Sequence, residues 1–363
     1  MYSFATENVP TTGLSILIVT LRKTASFYLL FRHFMKALTR ILLSRTDSIG
    51  DVVLTLPMAG LLRQLRPKAE ILFLGQAYTQ PVIHACEHVA EFWNWDDVKT
   101  SSPREQAEWL KSTRAEMIIH VFPRRDIARA AQRARIPLRC GTTNRLYHWW
   151  TCNKHVRLSR KNSPEHEAQL NLKLLGPLGA KSLYTCKEIA RLYGLTRPQP
   201  LQPEFAGTLS ANRFNLIIHP TSKGSAQEWG LNNFVELIKL LPRERFCIFI
   251  TGTESDGQEI RHHLQRDVPF VHDLTGKMNL AELISFIASA DGLLANSTGP
   301  LHLAAALGKY AIGLYPSRSP MHPGRWAPLG KKADVIQDGI TNAYPGNLKI
   351  EPTSVLKKLQ SLL

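Results

Sequence analysis

The stretch from Asp291 to Leu307 narrows the folds open to this chain more than any other, because it passes from strand to helix within a few residues. Gly292 to Ala295 is a short apolar run that reads as the end of a buried strand, and Asn296 to Gly299 is a tight turn. Leu301, Ala304, Ala305 and Leu307 then recur at helical spacing. Pro300 is tolerated in a first helical turn, where no intrahelical N–H is needed, and Gly308 supplies the stop. Ser297 and Thr298 are predicted to cap the helix. Units of this kind build parallel α/β sheets and put the helix start at the carboxyl edge of the sheet. The free amides there carry a partial charge of roughly +0.5, so the turn is a candidate anion site. His302 follows one helical turn along, and its imidazole can lean back to the same mouth. Periodicity alone is equally satisfied by a capped core helix with a locally bonded histidine.

The strand-to-helix pattern recurs along the chain. Arg40 to Arg45 reads as a first buried strand, Thr46 to Asp51 as a loop, and Met58, Leu61, Leu62 and Leu65 as one helix face. That loop is not a GxGxxG dinucleotide fingerprint. Further strands are expected at Ala69 to Gly75 and Met117 to Val121. Three prolines between Thr196 and Glu204 mark a linker, after which the pattern restarts at Phe214 to His219. A loop from Pro220 to Trp229 follows, then a helix on Phe234, Leu237, Ile238 and Leu241, and a strand from Phe246 to Thr251 that exits at Glu254. Tyr310 to Tyr315 is the next strand after the opening stretch, Ser317 to Leu329 a long loop near the cleft, and Ser354 to Leu363 an amphipathic helix. The fold class is therefore α/β, with two Rossmann-like parallel sheets whose loops face each other.

At 363 residues, 44% hydrophobic and 20% charged, the chain has enough apolar material for two cores. Its net charge of +16 calls for a polyanionic partner: nucleic acid, an anionic membrane surface or a phosphorylated substrate. Five scattered cysteines with no two-residue spacing point to reduced thiols, a cytoplasmic location and no metal knuckle. Arg22 and Lys23 interrupt the apolar runs before Phe34, so neither approaches the roughly 20 residues needed to cross a bilayer. From Arg124 to Lys161 the chain carries eleven basic residues against the single acid Asp126, with Tyr147, Trp149 and Trp150 close by. Arg125, Arg129 and Arg133 fall on one helical face.

Two of these segments resemble glycosyltransferase family 9, the heptosyltransferases. Ser297-Thr-Gly-Pro-Leu-His-Leu-Ala-Ala-Ala-Leu307 is similar to the family's donor-binding motif, and Arg45-Thr-Asp-Ser-Ile-Gly-Asp-Val-Val-Leu-Thr-Leu-Pro57 to its N-terminal signature. The resemblance implies a GT-B fold and inverting transfer without metal or cofactor. A heptose or related sugar would pass from an ADP-sugar to the anionic inner core of lipopolysaccharide. It makes Asp51 the general base. It assigns Thr221, Ser222, Lys223, Gln227, Glu254, Ser297, Thr298, Gly299 and His302 to the donor, and Ser48, Arg124, Arg125, Arg129 and Arg133 to the acceptor. Two positions depart from the family pattern: Ser297 stands where an acid is usual, and Gln227 where a lysine precedes Trp229. Lys223 is the substitute on the same loop.

The resemblance also implies boundaries: an extension at 1–34, an acceptor domain at 35–203, a donor domain at 204–350, and a terminal helix at 351–363 that packs back toward the first domain. Residues 1–34 are expected to be a disordered extension or a start-site artefact ahead of where related chains begin, or else an interfacial basic helix with peripheral contact to the inner membrane. Three alternatives stay open on the residues: a family relative with altered donor or no catalysis, another GT-B enzyme such as an epimerase, and a basic nucleic-acid-binding protein. No recognisable nucleic-acid motif accompanies the basic run.

Overall fold

In the computed structural model of this chain the described residues are 38–161, 163–222, 224–263, 270–340 and 346–363. The 1–34 extension and Lys223 therefore lie outside the described residues. The apolar runs become central strands buried on both faces, which is what parallel sheets covered by crossover helices require. The first sheet is built from β1 (Arg40–Ser44), β2 (Glu70–Gly75), β3 (Glu91–Asn94), β4 (Met117–His120), β5 (Leu138–Thr142) and β6 (Lys154–Val156). The second is built from β7 (Phe214–His219), β8 (Phe246–Ile250), β9 (Val271–Asp273), β10 (Gly292–Asn296), β11 (Tyr310–Tyr315) and β12 (Ala333–Gln337).

The sheet orders are β3-β2-β1-β4-β5-β6 and β12-β11-β10-β7-β8-β9. All the strand pairings within them are parallel. Counted from its own first strand, each sheet has the same doubly wound order, which reverses direction beside β1 in one and beside β7 in the other. Ligands of such sheets bind outside the carboxyl ends of the strands at that switch point.

Alternation along each strand sorts the core. Leu42, Leu72 and Ile118 face a cluster with Trp95 and Ile127. Ile41, Leu43 and Ile119 face a second cluster that continues without a break to Ile217, Leu293 and Leu301 of the other half. The two halves thus share apolar packing. The helix Gly299–Ala306 lies against the helix Ile49–Val53 across the cleft.

The helix Pro352–Gln360 does not return to the first domain as expected. Val355 and Leu359 bury themselves with Leu216, Trp229 and Leu237 of the second half, against the helix Leu231–Leu240. The stretch read as a loop up to Asp51 is shorter, because Ser48 starts a helix at Ile49. Trp95 is fully buried, and its indole N–H donates to Asp126 at 3.2 Å. All five cysteines are free thiols. Among the described residues no helix is long and apolar enough to cross a membrane.

Candidate active site

The switch points of the two sheets face one cavity of about 780 Å³. Its floor comes from the loop after β1, with Ser48, Ile49, Gly50 and Asp51, and from the turn after β10, with Ser297, Thr298, Gly299 and His302. The approach is close because both helix starts carry glycine. A Cβ on Gly299 would sit 2.9 Å from Ile49, and one on Gly50 would sit 3.0 Å from the His302 ring.

Asp51 is fixed from both sides. The Ser48 hydroxyl donates to its Oδ2 at 2.6 Å, and the Arg45 guanidinium donates to its Oδ1. Arg45 also reaches Asp47 Oδ1 at 2.7 Å and Glu167 Oε1 at 3.4 Å. Glu167, 1% exposed, accepts further bonds from Arg160 at 2.8 Å and from Arg325 of the other half at 3.0 Å. Burial works against its charge, but Arg160, Arg45 and Arg325 more than offset this and hold its carboxyl below the usual range. Burial pushes Asp47 up to about 6, against the pull of Arg45. His166 beside Glu167 donates from Nε2 to the Ala327 carbonyl at 2.9 Å, a second polar bridge between the halves.

On the other wall, Thr298 is the N-cap residue yet its side chain makes no cap bond, contrary to expectation. Its hydroxyl is buried without a partner, and so is His302 Nδ1. Buried polar atoms are seldom left unpaired, so two of them on one cavity wall beside a helix start mark a ligand position. Burial drives His302 down to about 3, so its ring is neutral at physiological pH. Ser297 is not a cap either: its side chain bonds the Tyr315 hydroxyl, which donates to the Trp326 carbonyl at 2.5 Å.

The remaining expected donor residues divide. Thr221, Ser222 and Gln227 line the cavity. The Ser222 hydroxyl is held by Glu228 Oε1 at 2.7 Å, so it shapes the loop. Gln227 Oε1 accepts from Arg318 Nη2 at 2.9 Å, so a guanidinium lies directly behind this part of the wall, where the family's lysine is absent, although Arg318 itself does not line the cavity. Glu254 does not line the cavity; it turns outward to Arg261 at 2.5 Å. On this side the carboxylate that lines the cavity is Asp256, two residues on, held by the Thr253 N–H at 2.7 Å and hydroxyl at 2.6 Å. Leu274, Met278, Leu280 and Leu283 form an apolar wall beside it.

Arg124, Arg125, Arg129 and Arg133 do not line the cavity. Arg124 pairs with Asp126, and the helix Arg125–Arg133 buries Ile127, Ala128, Ala130 and Ala131, which turns its arginines to solvent. Tyr78, Arg325 and Trp326 line the cavity and were not singled out as site residues. The long loop at Ser317 to Leu329 was the signal for the last two. Among the described residues no group of three His, Cys, Asp or Glu side chains is placed to hold a metal ion.

Residues 157–353 match the profile of glycosyltransferase family 9 (heptosyltransferase). The chain belongs to that family. This family 9 glycosyltransferase is 29% identical over 156 residues to lipooligosaccharide heptosyltransferase 2 of Haemophilus influenzae, which covers 39% of this chain and 44% of that one. Against lipopolysaccharide heptosyltransferase 1 of Escherichia coli it is 25% identical over 346 residues, 89% of this chain and 100% of that one. The solved ADP-heptose lps heptosyltransferase II of E. coli superposes with a TM-score of 0.71 at 22% identity, over 89% of this chain and 98% of that one, and so shares the GT-B fold.

Proposed function

We propose that this enzyme transfers a heptose from an ADP-sugar to a hydroxyl of the lipopolysaccharide inner core, with inversion and without a metal ion. Heptose, ADP and lipopolysaccharide come from the names of its relatives. The observation that carries the mechanism is the opposition of Asp51 to the unsatisfied Thr298 and His302 across one cavity. We take 35–203 as the acceptor half and 204–350 as the donor half.

In this reading the nucleobase lies on Leu274, Met278, Leu280 and Leu283, and Asp256 receives ribose hydroxyls. The diphosphate sits at the start of the helix Gly299–Ala306. The amides of Gly299 and Leu301, the Thr298 hydroxyl, the His302 ring and the Arg318 guanidinium on Gln227 receive its charge. Asp51 takes the proton of the acceptor hydroxyl, whose oxygen attacks the anomeric carbon from the face opposite the diphosphate. The anomeric C–O bond breaks, and its electron pair leaves on the β-phosphate. Fixed donors already neutralise that pair, so no cation is needed. The acceptor is a lipid at the inner face of the inner membrane.

The test is Asp51→Asn assayed with ADP-heptose and a core acceptor. Loss of general-base assistance lowers kcat by about 10²–10⁴-fold. ADP affinity stays as in the parent, and chelator leaves parental turnover intact. Full activity of the variant, or loss of turnover with chelator, sinks the mechanism.

A further inference from the structure

Away from the cavity, the first half carries the most exposed large apolar side chains of the described structure beside unpaired charge. Leu146 is 76% exposed, Trp149 55% and Trp150 69%, in the turn and short helix that follow β5. Gln132 donates to the Trp150 carbonyl at 2.7 Å. That bond sets the turn against the outer face of the helix Arg125–Arg133, where Arg125, Arg129 and Arg133 are exposed. Arg145, on the turn itself, is exposed as well. None of these four arginines is ion-paired among the described residues, since Asp126 is taken by Arg124 and the Trp95 indole.

The aromatic part is held rigidly. Trp149 donates from its indole to the Thr143 carbonyl at 3.2 Å and stacks on His155 with ring centroids 5.0 Å apart. Trp150 is thereby presented outward from a fixed turn. Two indoles and a leucine left in water beside a cationic helix face are the makings of an interface. Amphipathic aromatic rings next to arginine match the headgroup layer of a membrane, where rings sit at the boundary and cations meet lipid phosphates.

We propose that this surface docks the enzyme on an anionic lipid bilayer. Trp150 and Leu146 enter the headgroup layer, and Arg125, Arg129, Arg133 and Arg145 face the lipid phosphates. Single-stranded nucleic acid fits less well, because base stacking needs open ring faces along a basic groove, and one face of Trp149 is closed by His155. The location is also apt. β5 lies two strands from β1 in the same sheet, so the turn is roughly 10 Å to the side of the loop that carries Ser48 and Asp51. A bilayer there would present headgroup sugars to the cavity mouth. Only this last point rests on the transferase reading.

The test uses the full chain without sugar nucleotide, floated with phosphatidylglycerol-containing vesicles and with phosphatidylcholine vesicles. The parent should bind the anionic vesicles and lose them as salt rises. The triple variant Arg125→Gln, Arg129→Gln, Arg133→Gln should bind them about fivefold more weakly per arginine removed. The pair Leu146→Ser, Trp150→Ser should bind more weakly while keeping the salt dependence. Parental thermal midpoints in both variants show that folding is unaffected. Three results overturn the proposal: no vesicle binding by the parent, parental affinity in both variants, or preference for a single-stranded oligonucleotide that the arginine variant loses. None of these bears on the transfer mechanism, which the Asp51→Asn assay decides separately.

Discussion

Gln227 cannot supply a charge to a diphosphate, but it positions one. Its side-chain amide has two ends, and both are used: Nε2 donates to the Gly346 carbonyl at 2.8 Å and Oε1 accepts from Arg318 at 2.9 Å. The guanidinium is thus oriented by a neutral neighbour at the cavity wall. A hydrogen bond to a charged group contributes about 1.5–3 kcal/mol, so Arg318→Ala should weaken ADP binding by about 10-fold to 150-fold. AMP, which lacks the second phosphate, should lose much less. Placing Gln227→Lys in the Arg318→Ala background should recover most of the ADP affinity, because a lysine there needs no holder. Titration calorimetry with ADP and AMP measures both effects. Equal ADP affinity in the parent and in Arg318→Ala would remove the arginine from the donor site.

The element that governs the cleft is the crossing of two helix starts, Ile49–Val53 and Gly299–Ala306, over their glycines. Gly299→Ala puts a methyl 2.9 Å from Ile49, a contact that cannot stand, and overpacking of this kind costs about 1–3 kcal/mol. We expect a lower thermal midpoint together with weaker ADP-sugar binding, since the displaced turn is the one that holds the diphosphate. Gly308→Ala at the far end of the same helix meets nothing within 4 Å, and its φ of +75° strains only the local backbone. It should lower the midpoint and leave turnover alone; equal loss of turnover in both variants would disconnect the crossing from catalysis. Much of this was legible in the residues. The strong apolar runs at β1, β7, β8, β10 and β11 were readable because both faces of a central strand are buried. β3, β6 and β12 were not, since their residues are mostly half-buried at or near the sheet edges and leave no apolar run. The site followed the same rule. Strand exits were readable, so Asp51, Thr221, Thr298 and His302 came out at the cavity. Which carboxylate of Glu254 and Asp256 turns inward depends on side-chain bonds to Arg261 and Thr253, which spacing does not encode. The amphipathic face of the helix Pro352–Gln360 likewise said that it packs, not against which half.

Taken whole, the molecule buries histidines as neutral groups while its halves share one core, and this sets its response to acid. Burial holds His120 and His302 at about 3 and His166 at about 4, against an ordinary value near 6.5. His166 has a further reason to stay neutral, since its Nδ1 accepts the Ala168 N–H at 3.2 Å and protonation there would break that helix cap. Below pH ~6.5 the unfolded chain takes up three protons at these positions that the folded chain refuses until near pH 4 or below, so their stabilisation is full above pH ~6.5 and falls as pH drops below it. Asp47 has the opposite sign. Held at about 6 in the fold, it binds one proton that the unfolded chain does not take until near pH ~3.9. Three histidines against one aspartate leave about two protons near pH 5, a loss of roughly 2.7 kcal/mol per pH unit. Carboxylates held low, such as Glu167, add to the loss only at still lower pH. The thermal midpoint should therefore drop steeply from pH 7 to pH 5. His120 isolates one proton of this slope, because it is fully buried with both ring nitrogens unpartnered and lies outside the cavity lining. His120→Leu should flatten the dependence by about 1.4 kcal/mol per pH unit without changing ADP affinity. A midpoint unchanged between pH 7 and pH 5 in the parent, or an equal slope in the variant, would show that these rings take up protons in the fold.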